Sequence, residues 1–254
     1  MKNIKIKIIN QLKDNYSYVI HNYKNFEAII IDPAESGSLI DYLKKNSLNL
    51  NYILVTHHHD DHTSGIKGLL SEFPNVKIFA PGKIKNYKIY LIKEGTIINS
   101  NINNFEVYAS PGHTLDHVVL YDKKNKILFS GDTLFRLGCG RVFEGTYQEM
   151  HNSLKKINKL EDDVTVYCGH EYTKTNLQFL KSIFGNENEI TDLENKINNE
   201  IQNSGRSIPF NLGIEKTVNP FLSQNCNLAK KLKEKHNFSD IELFSFLRDQ
   251  KNKF

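Results

Sequence analysis

Apolar and polar positions alternate along this chain on two different periods. In its earlier part the short period dominates: Ile4-Lys5-Ile6-Lys7-Ile8 switches at every residue, the signature of a strand with one buried face. Apolar and β-branched runs at 16–20, 28–31, 52–55, 76–79, 105–109, 118–121, 127–129 and 164–167 predict further strands. Between them, 38–45, 65–73 and 147–158 carry apolar residues at the helical period. Beyond His170 the pattern changes, and 171–184, 189–203, 226–236 and 239–249 all read as helices with no convincing strand among them. Ser239 followed by Glu242 forms a capping-box pattern that opens the last of these. The segment 204–220 reads as a long connection. Sheets covered by helices give an α/β or α+β class. The change of texture divides the chain into domains 1–172 and 173–254, the second mostly helical.

Composition narrows the function classes. With 254 residues, 39% of them hydrophobic and 24% charged, the chain can bury an ordinary core. A net charge of +4 spread over scattered lysines gives no stripe for nucleic acid. No apolar run approaches the roughly 18 residues of a membrane span. The start, MKNIKIKIIN, interrupts its apolar residues with lysine and does not read as a secretory signal. Three cysteines without C-x-x-C spacing argue against a disulfide framework and for a reducing cytoplasm. Heavy use of Asn, Lys and Ile with no Trp reflects genome composition more than physics.

Chemistry concentrates in Thr56-His57-His58-His59-Asp60-Asp61-His62. On extended backbone, residues two apart point the same way, so His57 and His59 converge on one ion while His58 turns aside. Asp61 and His62 follow where the chain reverses into a helix near Thr63, and address a second ion. Asp60 falls on the solvent side. Three more places repeat a pattern of apolar strand, glycine and ligand-type residue: Pro111-Gly112-His113, Ser130-Gly131-Asp132 and Cys168-Gly169-His170. Imidazoles with carboxylates suit zinc, iron or manganese. No G-x-S-x-G nucleophile elbow occurs, and glycine-flanked Cys139 reads as a loop-shaping residue rather than a nucleophile.

The series H-x-H-x-D-H, S-P-G-H-T, S-G-D-T and G-H-E-Y resembles the metallo-β-lactamase fold superfamily. The resemblance implies an α+β fold, an αββα sandwich followed by a small C-terminal helical domain, with two metals at the edge of its paired sheets. Carried over, His57, His59 and His113 hold the first metal, Asp61, His62 and His170 the second, and Asp132 bridges them. The finer resemblance is to glyoxalase II, the hydroxyacylglutathione hydrolases, and it covers essentially the whole chain. Its carriers are Leu12 to Tyr16, Leu137-Gly138-Cys139-Gly140-Arg141 with Phe143 to Thr146, Cys168 to Thr173, Asn219 to Leu222, and Arg248 with Lys251.

That family hydrolyses S-D-lactoylglutathione to glutathione and D-lactate in methylglyoxal degradation. Two divalent ions, zinc first with iron or manganese as alternatives, supply the nucleophilic hydroxide, which Asp61 and Asp132 orient. Arg141, Phe143, Tyr172, Arg248 and Lys251 stand where the family holds glutathione, whose carboxylates match Arg and Lys. Phe143 replaces a Tyr of some relatives, Arg141 a Lys, and Ser64 and Ile66 stand where Gly-Gly-Asn is common. The resemblance implies a cytoplasmic monomer acting on a small-molecule thioester, with no nucleic-acid or membrane partner. The nearest alternative is a persulfide dioxygenase-like oxidoreductase on the same fold, which uses one iron. A nuclease of the superfamily and a non-catalytic binding module stand further off.

Overall fold

The computed structural model describes residues 4–22, 24–85, 87–185 and 187–254, so the first three positions of the expected catalytic domain lie outside the described residues. The chain forms two compact units: residues 1–109 with 116–131, and residues 110–115 with 132–254.

The first unit holds two sheets. One has the order β1 (Ile4–Gln11), β2 (Asn15–Asn22), β3 (Glu27–Ile31), β4 (Asn49–Leu54), β5 (Lys77–Ala80) and β6 (Ile89–Leu91). Its first three strands are antiparallel, with Ile6 opposite Ile20 and Ile8 opposite Tyr18. The last three continue in parallel, with helices in the first two crossovers. α1 (Gly37–Lys45) lies between β3 and β4, and α2 (Asp60–Thr63) and α3 (Ile66–Glu72) between β4 and β5. Helical spacing puts Leu39 and Leu43 on one face of α1, and both are buried with Ile66 and Leu69 of α3 against Val19, Ile30 and Ile53 of the sheet. Each such side chain contributes about 1.5–3 kcal/mol on burial.

The second sheet of this unit runs β7 (Ile97–Asn99), β8 (Asn104–Ala109), β9 (Val118–Asp122), β10 (Ile127–Gly131), each antiparallel to the next. Period-two alternation decides what faces what. Val19 of β2 joins the helix-covered core, while its neighbour Tyr18 turns to the second sheet and meets Phe129 edge-on at 5.2 Å.

The second unit begins with a small ribbon, β11 (Leu134–Phe135) paired with β12 (Gly138–Cys139). α4 (Tyr147–Asn158) follows, opened by a capping box of Thr146 and Glu149. β13 (Thr165–Cys168) leads to α5 (Thr173–Phe184) and α6 (Asn188–Ser204), then β14 (Phe210–Asn211), α7 (Leu212–Val218), α8 (Asn227–His236) and α9 (Asp240–Lys253). The expected capping box of Ser239 and Glu242 opens α9 with both reciprocal bonds present.

Some sequence expectations need correction. The stretch 204–220 is not a bare connection: it holds β14, antiparallel to β13, and α7, whose first turn is capped by the Asn211 side chain. In α7 the buried face carries Glu215 between Leu212 and Val218, which breaks the apolar repeat, and a two-residue strand is too short to show a period. The three-residue β6 and β7 escaped for the same reason. The helix after the histidine run starts at Asp60, not near Thr63, so Asp61 and His62 sit on a helical turn.

Candidate metal centre

In the first unit the loop after β4 delivers His57 and His59, and the turn of α2 delivers Asp61 and His62. His57 is fully buried and its Nε2 lies 3.1 Å from His59 Nδ1. Thr56 Oγ1 donates its single hydrogen to Asp32 Oδ2 at 2.7 Å, so it accepts from His57 Nδ1 at 3.0 Å. This fixes the His57 tautomer and leaves the Nε2 lone pair facing His59. Asp32 does more. It also takes the Thr56 N–H at 2.8 Å and sits 3.1 Å from His62 Nδ1, which turns His62 Nε2 toward Asp61 Oδ2 at 3.8 Å. Asn15 Nδ2 donates to Asp61 Oδ2 at 3.0 Å and to the Asp61 carbonyl at 3.2 Å, anchoring that carboxylate.

The expected bystanders behave as alternation requires. His58 turns to Asp116 Oδ1 at 3.0 Å, and Asp60 lies in solvent beside Lys85 Nζ at 3.2 Å. Gly131 ends β10 with φ +47°, and a Cβ there would come within 2.7 Å of Thr56 Oγ1. Glycine alone permits the turn that leads on to Asp132.

The second unit delivers His113, Asp132 and His170, all buried. His113 Nδ1 donates to the Arg141 carbonyl at 2.8 Å, because a carbonyl only accepts. In the neutral ring Nε2 is then a lone pair, and it faces Asp132 Oδ2 at 3.4 Å. His170 Nε2 approaches the same oxygen at 3.2 Å. The His170 ring stacks on Tyr172, centroids 4.7 Å apart and planes within 6°, and meets the Phe135 edge at 5.9 Å. Phe143, mostly exposed, stands edge-on to His113 at 5.2 Å with the Arg141 guanidinium 5.3 Å from its ring.

Both sets fit a divalent cation. Acceptor facing acceptor is repulsive unless a cation lies between them, and the outward nitrogens of His57, His62 and His113 face a hydroxyl, a carboxylate and a carbonyl, the arrangement that orients histidine ligands.

Arg248 and Lys251 share a face of α9 as their spacing requires, but they are less open than expected. Arg248 is buried, with Nη1 donating to Cys139 O at 3.1 Å and Gly140 O at 3.4 Å, and Nε to Asn252 Oδ1 at 3.1 Å. Lys251 Nζ donates to Thr175 O at 3.1 Å and lies 5.0 Å from each of the Phe179 and Phe254 rings. Burial, then the nearby Arg248 charge, lowers its pKa to about 8. Cys139 is buried, and burial pushes its thiol up, which suits a packing role better than a nucleophile.

Reading the sequence alone missed Asp32, Thr56 and the part Asn15 plays. Asp32 did carry a signal, since it follows the apolar strand β3 as Asp132 follows β10.

Comparison with known proteins agrees along the whole chain. The metallo-beta-lactamase superfamily matches residues 12–170, and the hydroxyacylglutathione hydrolase C-terminus matches 171–254. A hydroxyacylglutathione hydrolase of Pectobacterium atrosepticum is 38% identical over 97% of this chain and 98% of its own. One from Bdellovibrio bacteriovorus is 36% identical over 98% of this chain and 97% of its own. Among solved structures, ETHE1 from Myxococcus xanthus superposes with a TM-score of 0.65 at 19% identity, covering 98% of this chain and all of that one.

Proposed function

The chain belongs to the hydroxyacylglutathione hydrolase family of the metallo-β-lactamase superfamily, and we propose that it cleaves S-D-lactoylglutathione with water to glutathione and D-lactate on two divalent ions. Its class is that of the family, a hydrolase of glutathione thioesters with an α+β fold. The observation that carries the reading is 38% identity with such a hydrolase over 97% of this chain and 98% of the other.

His57, His59 and His113 would hold one ion and Asp61, His62 and His170 the other, with Asp132 able to serve both. The buried imidazole nitrogens and their fixed tautomers support this assignment. Zinc is the first expectation, with iron or manganese able to use the same donors. Ions bound there would supply the Lewis acidity that brings a water toward neutrality and polarises a thioester carbonyl. The chain's own residues do the rest. Asn15 and Asp32 hold Asp61 and His62 in place, and Asp61 with Asp132 orients the nucleophile. Arg141, Phe143 and Tyr172 grip the glutathione moiety. Arg248 and Lys251 supply positive charge for its carboxylates, Arg248 while also holding the 139–140 backbone.

We assign catalysis to domain 1–172 and glutathione binding to domain 173–254. Among the described residues no helix is long and apolar enough to cross a membrane. Cys139, Cys168 and Cys226 are free thiols, which suits a reducing cytoplasm, and we assign the chain there as a monomer in methylglyoxal degradation. The test measures loss of the thioester of S-D-lactoylglutathione alongside metal analysis of the same sample. Turnover with two metals per chain is expected. One iron per chain with oxygen uptake on glutathione persulfide, and no thioester cleavage, would overturn the proposal.

A further inference from the structure

Two residues in each strand of β11–β12 are too few to hold a hairpin together. Its backbone is instead held by side chains from elsewhere in the second unit. The Asn219 Nδ2 hydrogens are shared between Phe135 O at 3.4 Å, Gly138 O at 3.2 Å and Glu215 Oε2 at 3.1 Å. Asn176 Nδ2 donates to Arg136 O at 2.9 Å, and the Leu137 N–H donates to Glu215 Oε2 at 2.8 Å. Leu137 sits at φ +59°, a backbone region a leucine rarely occupies unless it is held there. Glu215 and Asn219 are essentially inaccessible, at 1% and 0% exposure, so neither meets water.

The ribbon leads straight into the candidate site. Gly140 N donates to Thr133 O at 3.2 Å, and a Cβ on Gly140 would fall 1.9 Å from the Asp132 carbonyl, so this backbone lies directly on a proposed metal ligand. The next residue, Arg141, turns its carbonyl to His113 Nδ1.

We propose that Glu215, with Asn219 bound to it, is a positioning residue that sets the backbone from Leu137 to Arg141 and, through the Arg141 carbonyl, aims the His113 ring. The substrate-side readout rests on the thioester hydrolase reading; the metal-side readout does not. The role needs an acceptor oxygen rather than a charge. Burial pushes the Glu215 carboxyl up to about 7 against the opposing pull of the Leu137 N–H and the Arg136 guanidinium, and either protonation state keeps an oxygen for Leu137.

The experiment compares Glu215→Ala, Glu215→Gln and Asn219→Ala in the full chain, reading KM and kcat for the glutathione thioester and zinc retention against a competing chelator. Glu215→Ala is expected to raise KM about tenfold and weaken zinc retention about tenfold, the scale seen when partners of metal ligands are removed. Glu215→Gln should keep both within about threefold, because the acceptor survives. A folded Glu215→Ala protein with wild-type KM and zinc retention, altered only in melting temperature, would overturn the role. If Glu215→Ala does not accumulate, Asn219→Ala decides: raised KM and faster zinc loss support the proposal, and wild-type values overturn it. A wild-type protein that binds zinc but leaves the thioester intact would defeat the hydrolase reading and leave the zinc arm to judge this one.

Discussion

Asp32 lies in no recognised motif, yet it accepts from Thr56 twice and holds His62, so two proposed ligands depend on its carboxylate. Asp32→Ala is therefore expected to weaken metal binding by about 10–100-fold while leaving substrate contacts intact, as read by chelator competition. Lys251 gives a pH signature. Its pKa, lowered to about 8, means that its charge is present below that value and lost as pH rises through it. If it meets a glutathione carboxylate, KM should rise about tenfold from pH 7 to pH 9 while kcat stays level, and Lys251→Met should abolish that rise. The proposed ligands were legible because each follows an apolar strand, and two of them, His57 and His59, are two apart. Asp32 was not, because one carboxylate at a strand end has no spacing partner in sequence and acquires its role only where Thr56 and His62 come to it. Arg248 was half legible: its charge suggested a carboxylate, but its burial under the Cys139 and Gly140 carbonyls depends on contacts more than a hundred residues apart.

Elements whose apolar residues repeat at a clear period were readable, and those without such a repeat were not. α1, α4 and α9 announced themselves by apolar spacing or by capping boxes. α7 did not, because its buried face sets Glu215 between Leu212 and Val218 and so shows no apolar repeat, although it carries that residue and is capped by Asn219. The Ser239 cap offers a test confined to one element. Removing such a cap costs about 1 kcal/mol. Ser239→Ala should lower the melting temperature by about 2–4 °C for a chain of this size, with kcat unchanged since the cap is at the opposite end of α9 from Arg248 and Lys251. A change in kcat equal to that of an Arg248 variant would show that α9 moves as a whole.

For the whole molecule, Glu215 links stability to pH. Its folded pKa of about 7 lies above the ordinary 4.5, so the native state holds this proton more tightly than the unfolded chain does. The stability it contributes is full below the unfolded value and falls as pH rises from about 4.5 to about 7. Glu215→Gln removes that loss, so its melting temperature relative to the wild type should climb between about pH 5 and pH 8; a constant difference would show that burial does not govern this carboxyl. The same residue has a consequence for the order in which the protein is made. The 134–141 backbone takes its hydrogen bonds from Asn176, Glu215, Asn219 and Arg248, the last 109 residues downstream of Cys139. A ribosome that has finished the loop has not yet made the groups that hold it. A chain truncated before Thr173 lacks all four of these groups and should be cut by protease between Leu134 and Arg141, where the finished protein resists.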